Sequence, residues 1–353
     1  MTSDSPGMHQ YSLNLAEGRS TAASVDFLVR LKPAIPTVVY DTYWKFAAER
    51  QAVFFARING VSPPWTVDPI LQRFKFTNAY RASDRTSQYL IQNVIYKGPQ
   101  LTEEVFFRTL LFKLFNRIRT WELLEERLGQ ITWEDYSFSD YDRVLSGAFN
   151  RGEKLYSAAY IIPSPQVFGY GRKHQNHLRL LEKMMRAEVP QRLQQCRRMQ
   201  DAYDLLRSFP SLGDFLAFQF VTDLNYSNVT CFSEMEFVVP GPGALNGIRK
   251  CFADLGGLNE VDIIKFMADR QQEEFSRLGL AFRDLWGRAL QLVDCQNLFC
   301  EVDKYARVAH PEILGRSTRT RIKQTFQASA KALKYWYPPK WGLNRRIRED
   351  VGE

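Results

Sequence analysis

The sequence of 353 residues carries 47 Lys or Arg against 39 Asp or Glu, which gives a formal net charge of +8. Hydrophobic residues make up 45% of the chain and aromatic residues 14%, so a large core can form and global disorder is excluded. No apolar run reaches the ~20 residues of a membrane helix, and the N-terminus lacks the basic start and apolar block of a signal peptide. Five cysteines without a Cys-x-x-Cys pair argue against a zinc ribbon or a disulfide framework. We expect an intracellular protein without membrane contact, nuclear in a eukaryote and otherwise cytoplasmic.

The first part of the chain shows helix signals almost throughout. Residues 1–37 are predicted to be a partly disordered lead-in. Apolar residues at helical spacing predict a first helix at 41–58, which Asn59-Gly60 ends. Asp68 followed by Pro69 is a typical helix start. Two more helices are predicted, one at 83–96 and one from Thr102 through Leu114.

The middle of the chain gives weaker signals. Residues 154–165 fit either a short strand or a helix end. The charged segments at 172–188 and 191–207 predict two helices on the surface, separated near Pro190. Ser211 is the predicted cap of the apolar helix that follows it.

The last part again predicts helices, at 244–252, 260–277 and 282–305. The alternation of strands and helices that a parallel sheet needs is missing from the sequence. The predicted fold class is therefore all-α, a compact multi-helix domain at 38–307 followed by a basic C-terminal extension at 308–353.

The charge is concentrated near the C-terminus. Residues 304–348 contain twelve Lys or Arg and one acid, Glu312, so this segment carries +11 and the rest of the chain sums to −3. Aromatic residues at 335–337 and 341 alternate with the charges, a pattern typical of nucleic-acid binding. Arg319 and Lys323 are candidate contacts to DNA phosphates. The alternative is a solvated basic tail.

Polar residues crowd among aromatic ones at 43–96. Packed polar groups need partners in the protein or in a ligand. The segment therefore predicts a binding surface built on helices, for a ligand rich in hydrogen-bonding groups. The candidate binding residues are Arg50, Gln51, Thr77, Asn78, Tyr80, Arg81, Arg85 and Gln88, with Asp84 as a candidate catalytic acid or base.

A Pro-Gly-Pro-Gly turn at 240–243 runs directly into a predicted helix. Gly241 and Gly243 resemble the hairpin of a helix-hairpin-helix motif, in which backbone amides hold a DNA phosphate. The following Arg249 and Lys250 favour this interpretation. An ordinary turn between two helices explains the pattern equally well.

A second polar stretch lies at 290–305. Asp294, Asn297 and Glu301 fall on one helix face, whereas Gln296 lies near the apolar side. A ligand contact or an internal polar network would explain this placement. Lys304 is a further candidate binding residue.

Other chemistry-bearing residues are sparse. Asp223 ends an apolar helix, where burial could tune a general base, although capping a neighbouring turn is the commoner role. His174 and His177 share a helix face without an evident third ligand. We expect no metal site and no cofactor.

Several of these motifs together resemble a known family. They are AERQ at 48–51, RING at 57–60, PWTVDPIL at 64–71, FTNAYR at 76–81, DRTSQYLI at 84–91, FLAFQ at 215–219, TDLNY at 222–226, PGPG at 240–243 and DCQNLFCEVDKY at 294–305. In combination they are similar to the helical domain of the 5-hydroxymethyl-deoxyuridine DNA kinase family and to the alpha-glutamyl/putrescinyl thymine pyrophosphorylase group. The resemblance spans about residues 43–307.

The resemblance implies a helix-hairpin-helix, glycosylase-like fold and a role in making hypermodified thymines. It implies a transferase that replaces a phosphate or pyrophosphate on 5-hydroxymethyluracil in DNA with an amine. DNA with a flipped-out base would be the partner, with a separate 5-hmdU DNA kinase as a second one. The sequence lacks a phosphate-binding GxxxxGK[ST] loop, so this chain is not expected to be a kinase itself.

The residues named above take roles in that scheme. Amide and hydroxyl groups would hold the base, the arginines would hold its leaving phosphate, and Asp84, Asp223 or Asp294 would deprotonate the amine. Two alternatives remain open. One is a glycosylase that removes a modified base, for which no lysine stands out, and the other is a non-catalytic module that binds modified DNA.

Overall fold

Fourteen α-helices and two short strand pairs make up the described part of the chain. The computed structural model describes residues 9–11, 27–29, 32–159, 161–328 and 334–351. The first seven helices are α1 (Val38–Ile58), α2 (Pro69–Arg73), α3 (Arg85–Tyr89), α4 (Thr102–Phe115), α5 (Ile118–Leu128), α6 (Phe138–Asn150) and α7 (Lys173–Arg186). The remaining seven are α8 (Val189–Gln195), α9 (Met199–Arg207), α10 (Asp214–Leu224), α11 (Pro242–Cys251), α12 (Glu260–Arg277), α13 (Leu292–Ala309) and α14 (Leu343–Val351).

The strands are too short to form a sheet layer. Strand β1 (His9–Tyr11) pairs antiparallel with β2 (Phe27–Val29), and β3 (Ile35–Pro36) pairs with β4 (Phe252–Asp254). Most of the predicted lead-in at 1–37 lies outside the described residues. The prediction of an all-α architecture is confirmed for the described part of the chain.

Helix α1 is the central element of the N-terminal half. Its cap is Thr37, whose hydroxyl accepts a hydrogen bond from the Val39 amide, so the helix begins three residues before the predicted start at 41. Tyr43 and Trp44 are fully buried, and the Tyr43 hydroxyl donates to the Cys295 carbonyl at 3.2 Å. Helix α1 thus packs against α13.

Helices α11 and α13 cross at unusually close range. A Cβ on Gly247 would lie 2.1 Å from the carbonyl oxygen of Phe299, and one on Gly243 would lie 3.1 Å from Cys300 Sγ. Glycine therefore allows the two helix backbones to touch.

Three predicted helices have different bounds in the structure. The single helix at 83–96 is wrong, because a 3₁₀ turn at Arg81–Ser83 is followed by α3 and then by a π-helix at Leu90–Ile95. The helix at 282–305 begins only at Leu292, where Gln291 and Asp294 form a capping box. The helix at 191–207 is two helices, interrupted between Gln195 and Met199.

Three further predictions need correction. Ser211 is not a helix cap, because it has a left-handed φ of +67°, and Gly213 caps α10 instead. Helix α7 is not a surface helix on all sides, since Leu178, Leu181 and Met184 are fully buried. Residues 154–159 and 161–165 form neither helix nor strand.

The C-terminal segment packs on the helical body. The Tyr337 ring is buried, and its hydroxyl lies 2.7 Å from Ser83 Oγ. The Trp336 amide donates to Gln88 Oε1 at 2.9 Å, and Lys340 Nζ donates to the Ser227 carbonyl at 2.8 Å. The aromatic residues of this segment therefore anchor it to the protein, and they do not form the exposed stacking surface that the sequence suggested.

Within the described ranges, no helix combines the length and the apolar character needed to cross a bilayer.

Candidate functional site

The 77–84 loop is held in place by side chains from two distant helices. Arg50 of α1 donates from Nε to the Thr77 carbonyl at 2.9 Å and from Nη2 to Asn78 Oδ1 at 2.8 Å. Glu301 of α13 accepts a hydrogen bond from the Thr77 amide at 2.9 Å. Asp84 closes the loop by accepting from the Asn78 amide at 2.8 Å. Polar side chains of α1 and α13, which are more than two hundred residues apart in the sequence, thereby hold the segment between α2 and α3.

Arg81 extends from this loop into a buried cluster that we call the Arg81 centre. Its Nη1 donates to Asp223 Oδ1 and to the Tyr226 hydroxyl, both at 2.8 Å, and its Nε and Nη2 donate to Gln219 Oε1 at 3.1 and 3.0 Å. Lys113 Nζ of α4 lies 3.0 Å from the other oxygen, Asp223 Oδ2. The centre consists of Arg81, Lys113, Gln219, Asp223 and Tyr226, and all five side chains are buried.

The charges of the Arg81 centre keep Asp223 ionised. Burial by itself would raise the pKa of the carboxyl group, but Arg81 and Lys113 hold the pKa of Asp223 below its usual value. Burial lowers the pKa of Lys113, which Asp223 opposes. Asp223 therefore positions two cations and is poorly suited to accept a proton.

Asp294 has a structural role in the same region. Its Oδ1 accepts from the Arg81 amide at 2.8 Å, and its Oδ2 accepts from the Gln291 amide at 3.0 Å. Burial raises the pKa of Asp294 to about 6, although both backbone hydrogen bonds favour the ionised form. With both oxygens occupied by the backbone, this carboxylate fixes Arg81 rather than contacting a ligand.

Asp84 combines a shifted pKa with a half-buried position. Burial is the main cause that raises the pKa of Asp84 to about 7, and the charge of Glu301 adds to it, against the opposing effect of the Asn78 amide and of Arg50. The residue is only half-buried, and the next residue, Arg85, is exposed. A carboxyl group that is partly protonated at neutral pH can take up or release a proton. Among the three candidate carboxylates, Asp84 has the properties of a general base or acid.

Three predicted binding residues retain a buried polar atom without a hydrogen-bond partner among the described residues. These atoms are Gln51 Nε2, Thr77 Oγ1 and Gln296 Oε1. Native structures rarely leave such atoms unpaired, so each one calls for an explanation such as a ligand or an ordered water. Thr77 Oγ1 belongs to the 77–84 loop, whereas the Gln296 side chain donates from Nε2 to Cys300 Sγ at 3.2 Å and lies near Gly241.

The other predicted binding residues are mostly used within the protein. The Tyr80 hydroxyl donates to the Arg288 carbonyl at 2.6 Å, and Gln88 Nε2 donates to the Ala82 carbonyl at 2.8 Å. Lys304 Nζ donates to Glu301 Oε2 at 2.7 Å. Asn297 is half-buried on α13.

The structure brings the two polar stretches together, but without the expected space between them. The Arg81 amide meets Asp294 at 2.8 Å and the Thr77 amide meets Glu301 at 2.9 Å. At these distances a nucleobase cannot lie between the two stretches at those residues. A base would have to approach from the solvent side of the 77–84 loop, where Asp84 and Arg85 lie.

The glycine turn at 240–243 is explained by packing. Gly241 caps α11 with an ordinary φ of −76°, and a Cβ there would lie 2.7 Å from the Phe215 ring. Lys250 is buried, with Nζ 3.1 Å from Asp303 Oδ1, so it is not available to a DNA phosphate. Arg249 pairs with Glu260 at 3.0 Å. By contrast, the last two candidate phosphate contacts, Arg319 and Lys323, are exposed.

Lys113 is the main residue that the sequence interpretation missed. A signal was present, because Lys113 lies in the apolar run of α4, where a charge has to find a buried partner.

His174 and His177 bind other protein groups: His174 Nε2 lies 3.1 Å from Asp142 Oδ1, and His177 Nδ1 lies 2.9 Å from the Tyr156 hydroxyl. The described residues contain no group of three potential metal ligands.

Comparison with known proteins gives a consistent result. The sequence model of the family described as "5-hmdU DNA kinase, helical domain" matches residues 37–315. The "5-hmdU DNA kinase" of Bacillus phage SP10 is 27% identical over 303 residues, which cover 78% of this chain and 46% of that protein. The chain thus matches somewhat less than half the length of this relative. No solved structure matches with significance.

Proposed function

Since the chain belongs to the family of the 5-hmdU DNA kinase helical domain, we propose that it acts on a modified thymine base in DNA. The proposed reaction is a transfer in which an amine replaces a phosphate or pyrophosphate on 5-hydroxymethyluracil. Kinase activity is not part of the proposal, because this sequence contains no GxxxxGK[ST] loop. A separate kinase would supply the phosphorylated base.

The proposed step moves one group and one proton. The amine nitrogen forms a bond to the methylene carbon attached to the ring, while the bond from that carbon to the phosphate oxygen breaks and the phosphate leaves with the electron pair. The amine loses a proton, for which Asp84 is the acceptor. The observation that supports this assignment is the half-buried position of Asp84, whose carboxyl group has a pKa of about 7 and accepts a hydrogen bond from the Asn78 amide, beside Thr77 with its unpaired Oγ1.

The leaving phosphate needs a cation that is free to contact it. Arg50 and Arg81 were both candidates, but their guanidinium groups already bind protein acceptors at 2.8–3.1 Å. Arg85 is exposed and adjacent to Asp84. We therefore assign phosphate contact to Arg85, and to Arg50 and Arg81 the task of holding the 77–84 loop and the Arg81 centre.

The test uses DNA that contains phosphorylated or pyrophosphorylated 5-hydroxymethyluracil. The protein is incubated with this DNA and a panel of amino acids and polyamines, and the digested nucleosides are analysed by mass spectrometry. We expect a new nucleoside with the wild type, none with Asp84→Asn, and an unchanged yield with the control Asp140→Asn, an exposed carboxylate on α6 that pairs with Arg143. Failure of the wild type to form any product with every amine would refute the transfer.

A second candidate function is removal of a modified base. A glycosylase of this kind combines a carboxylate with a lysine near the sugar, and the contact of 3.0 Å between Lys113 and Asp223 supplies such a pair. Both side chains are buried, however, which argues against their contact with a DNA sugar. Alkali treatment of the modified duplex distinguishes the two reactions, because only a glycosylase generates strand breaks, and Lys113→Met would abolish them.

A non-catalytic DNA-binding role is the third candidate. The exposed basic residues at 316–323 support DNA contact in all three cases. A pure binding module would give neither product nor strand breaks, and it would bind modified DNA with an affinity that falls steeply with salt. In that case Asp84→Asn would leave the affinity for modified DNA unchanged, and neither the wild type nor the variant would form a product.

A further inference from the structure

A surface cleft of about 470 Å³ lies between the end of the π-helix and α5, away from the Arg81 centre. It is lined by Asn93, Lys97, Arg108, Trp121, Glu125 and Gln130, among others. None of these residues belongs to the proposed reaction. Two of them present buried N–H groups that lack an acceptor among the described residues.

Arg108 is the first of these donors. It is 2% exposed, and its Nε and Nη2 donate to the carbonyls of Val94, Ile95 and Pro99 at 3.0, 3.3 and 2.7 Å. Its Nη1 has no hydrogen bond, since the nearest carboxylate, Glu104, is 3.6 Å away. One edge of a buried guanidinium therefore lacks an acceptor.

Trp121 supplies the second donor. Its ring is 2% exposed and packs edge-on against Phe112 with centroids 6.0 Å apart, while Nε1 has no hydrogen-bond partner. A buried N–H without an acceptor is unusual in a native protein. Two such donors belong to residues that line the same cleft, which makes it a candidate site for an acceptor atom.

The neighbouring carboxylates do not fill this need. Glu104 accepts hydrogen bonds from the amides of Trp133 and Glu134 at 2.9–3.1 Å. Glu125 pairs with Lys97 at 2.9 Å, and Glu126 pairs with Arg119 at 2.6 Å. Because Glu125 and Glu126 line the mouth of the cleft, they repel a ligand with several negative charges.

The exposed side chain of Gln130 lies near Arg108 in the lining of the cleft. A Cβ added to Gly98 would lie 3.0 Å from Gln130 Nε2 and 3.7 Å from Arg108 Cζ, so these two side chains are close neighbours. Gln130 is exposed, so rotation about its side-chain bonds is fast and its side chain can move aside when a ligand enters the cleft.

We propose that this cleft binds a small molecule through a single carboxylate group, which accepts hydrogen bonds from Arg108 Nη1 and Trp121 Nε1. The inference does not rest on the proposed reaction with DNA. The two oxygens of one carboxylate match the two donors in number, whereas a polyanion conflicts with Glu125 and Glu126 in the lining of the cleft.

The test follows the indole N–H of Trp121 in the ¹⁵N-labelled full chain. The chain contains seven tryptophans, and Trp121→Phe assigns the relevant signal while it keeps an aromatic ring against Phe112. Acetate is titrated at constant ionic strength, with acetamide as its uncharged counterpart and inorganic phosphate as the more highly charged probe. The other six indole signals serve as internal controls.

We expect acetate to shift the Trp121 signal to saturation in the ~1–10 mM range that so small a ligand allows, with acetamide at least tenfold weaker. In a thermal-shift titration, Trp121→Phe should bind acetate about tenfold more weakly, because a charge-assisted hydrogen bond is lost. The proposal is overturned if acetate leaves the Trp121 signal unchanged, if acetamide binds as well as acetate, or if phosphate binds more tightly than acetate.

Discussion

The contact between α11 and α13 makes a quantitative prediction for Gly247→Ala. The added Cβ would lie 2.1 Å from the Phe299 carbonyl oxygen, whereas ordinary contacts begin at 3.4 Å. The helices would have to separate by roughly 1 Å. Overpacking of this kind costs about 1–3 kcal/mol, and the gain in helix propensity returns about 1 kcal/mol. Because the obstacle is a helix backbone that cannot yield locally, the upper end of this cost applies, and we expect Gly247→Ala to lower the free energy of unfolding by about 2 kcal/mol.

Gly243→Ala is the matched control on the same helix. Its Cβ would lie 3.1 Å from Cys300 Sγ, a side-chain atom that can move, whereas the obstacle at Gly247 is a helix backbone. We expect this variant to change the free energy of unfolding by less than about 0.5 kcal/mol.

Urea denaturation at 25 °C, followed by circular dichroism, measures both variants. If Gly247→Ala were as stable as the wild type, or if the two alanines had equal effects, the close approach of the helices would be wrong. DNA binding by folded Gly243→Ala adds a second readout. Unchanged affinity is expected if packing, rather than phosphate contact, explains this glycine.

Three other predictions concern charged groups. Asp84 has a pKa of about 7 in the folded protein against an ordinary 3.8, so the folded state binds more protons between these values and stability falls as pH rises from about 4 to about 7. Asp84→Asn should remove this loss, and urea titrations would show a larger gain over the wild type at pH 8 than at pH 5; an equal gain at both values would contradict the shift. Lys113→Met leaves Asp223 with one cation fewer and should cost about 3–5 kcal/mol, measured by the same method, whereas a neutral effect would contradict the buried pair. Arg319→Ala and Lys323→Ala should each reduce the dependence of log affinity on log salt by about 1 in DNA titrations, if both contact phosphates; an unchanged slope would exclude them.

The sequence determined those features that depend on neighbouring residues. Helix α12 was predicted at 260–277 and occurs at Glu260–Arg277, because its cap and its apolar spacing both lie within the segment. Asp68 caps α2 as predicted, with Oδ1 accepting from the Ile70 amide at 2.7 Å. The motifs that carry the family resemblance are likewise readable without coordinates. The sequence also indicated that the polar groups at 77–84 and 294–301 have partners.

Only the tertiary structure decided which partners these are. Arg81 and Asp223 are 142 residues apart, and nothing in either segment specifies the other. The same holds for Lys113, for the role of Gly247 and for the shifted pKa of Asp84, since each depends on burial and on charges from distant helices. Helical periodicity reports which face of a segment is buried, but it contains no information about what lies opposite that face.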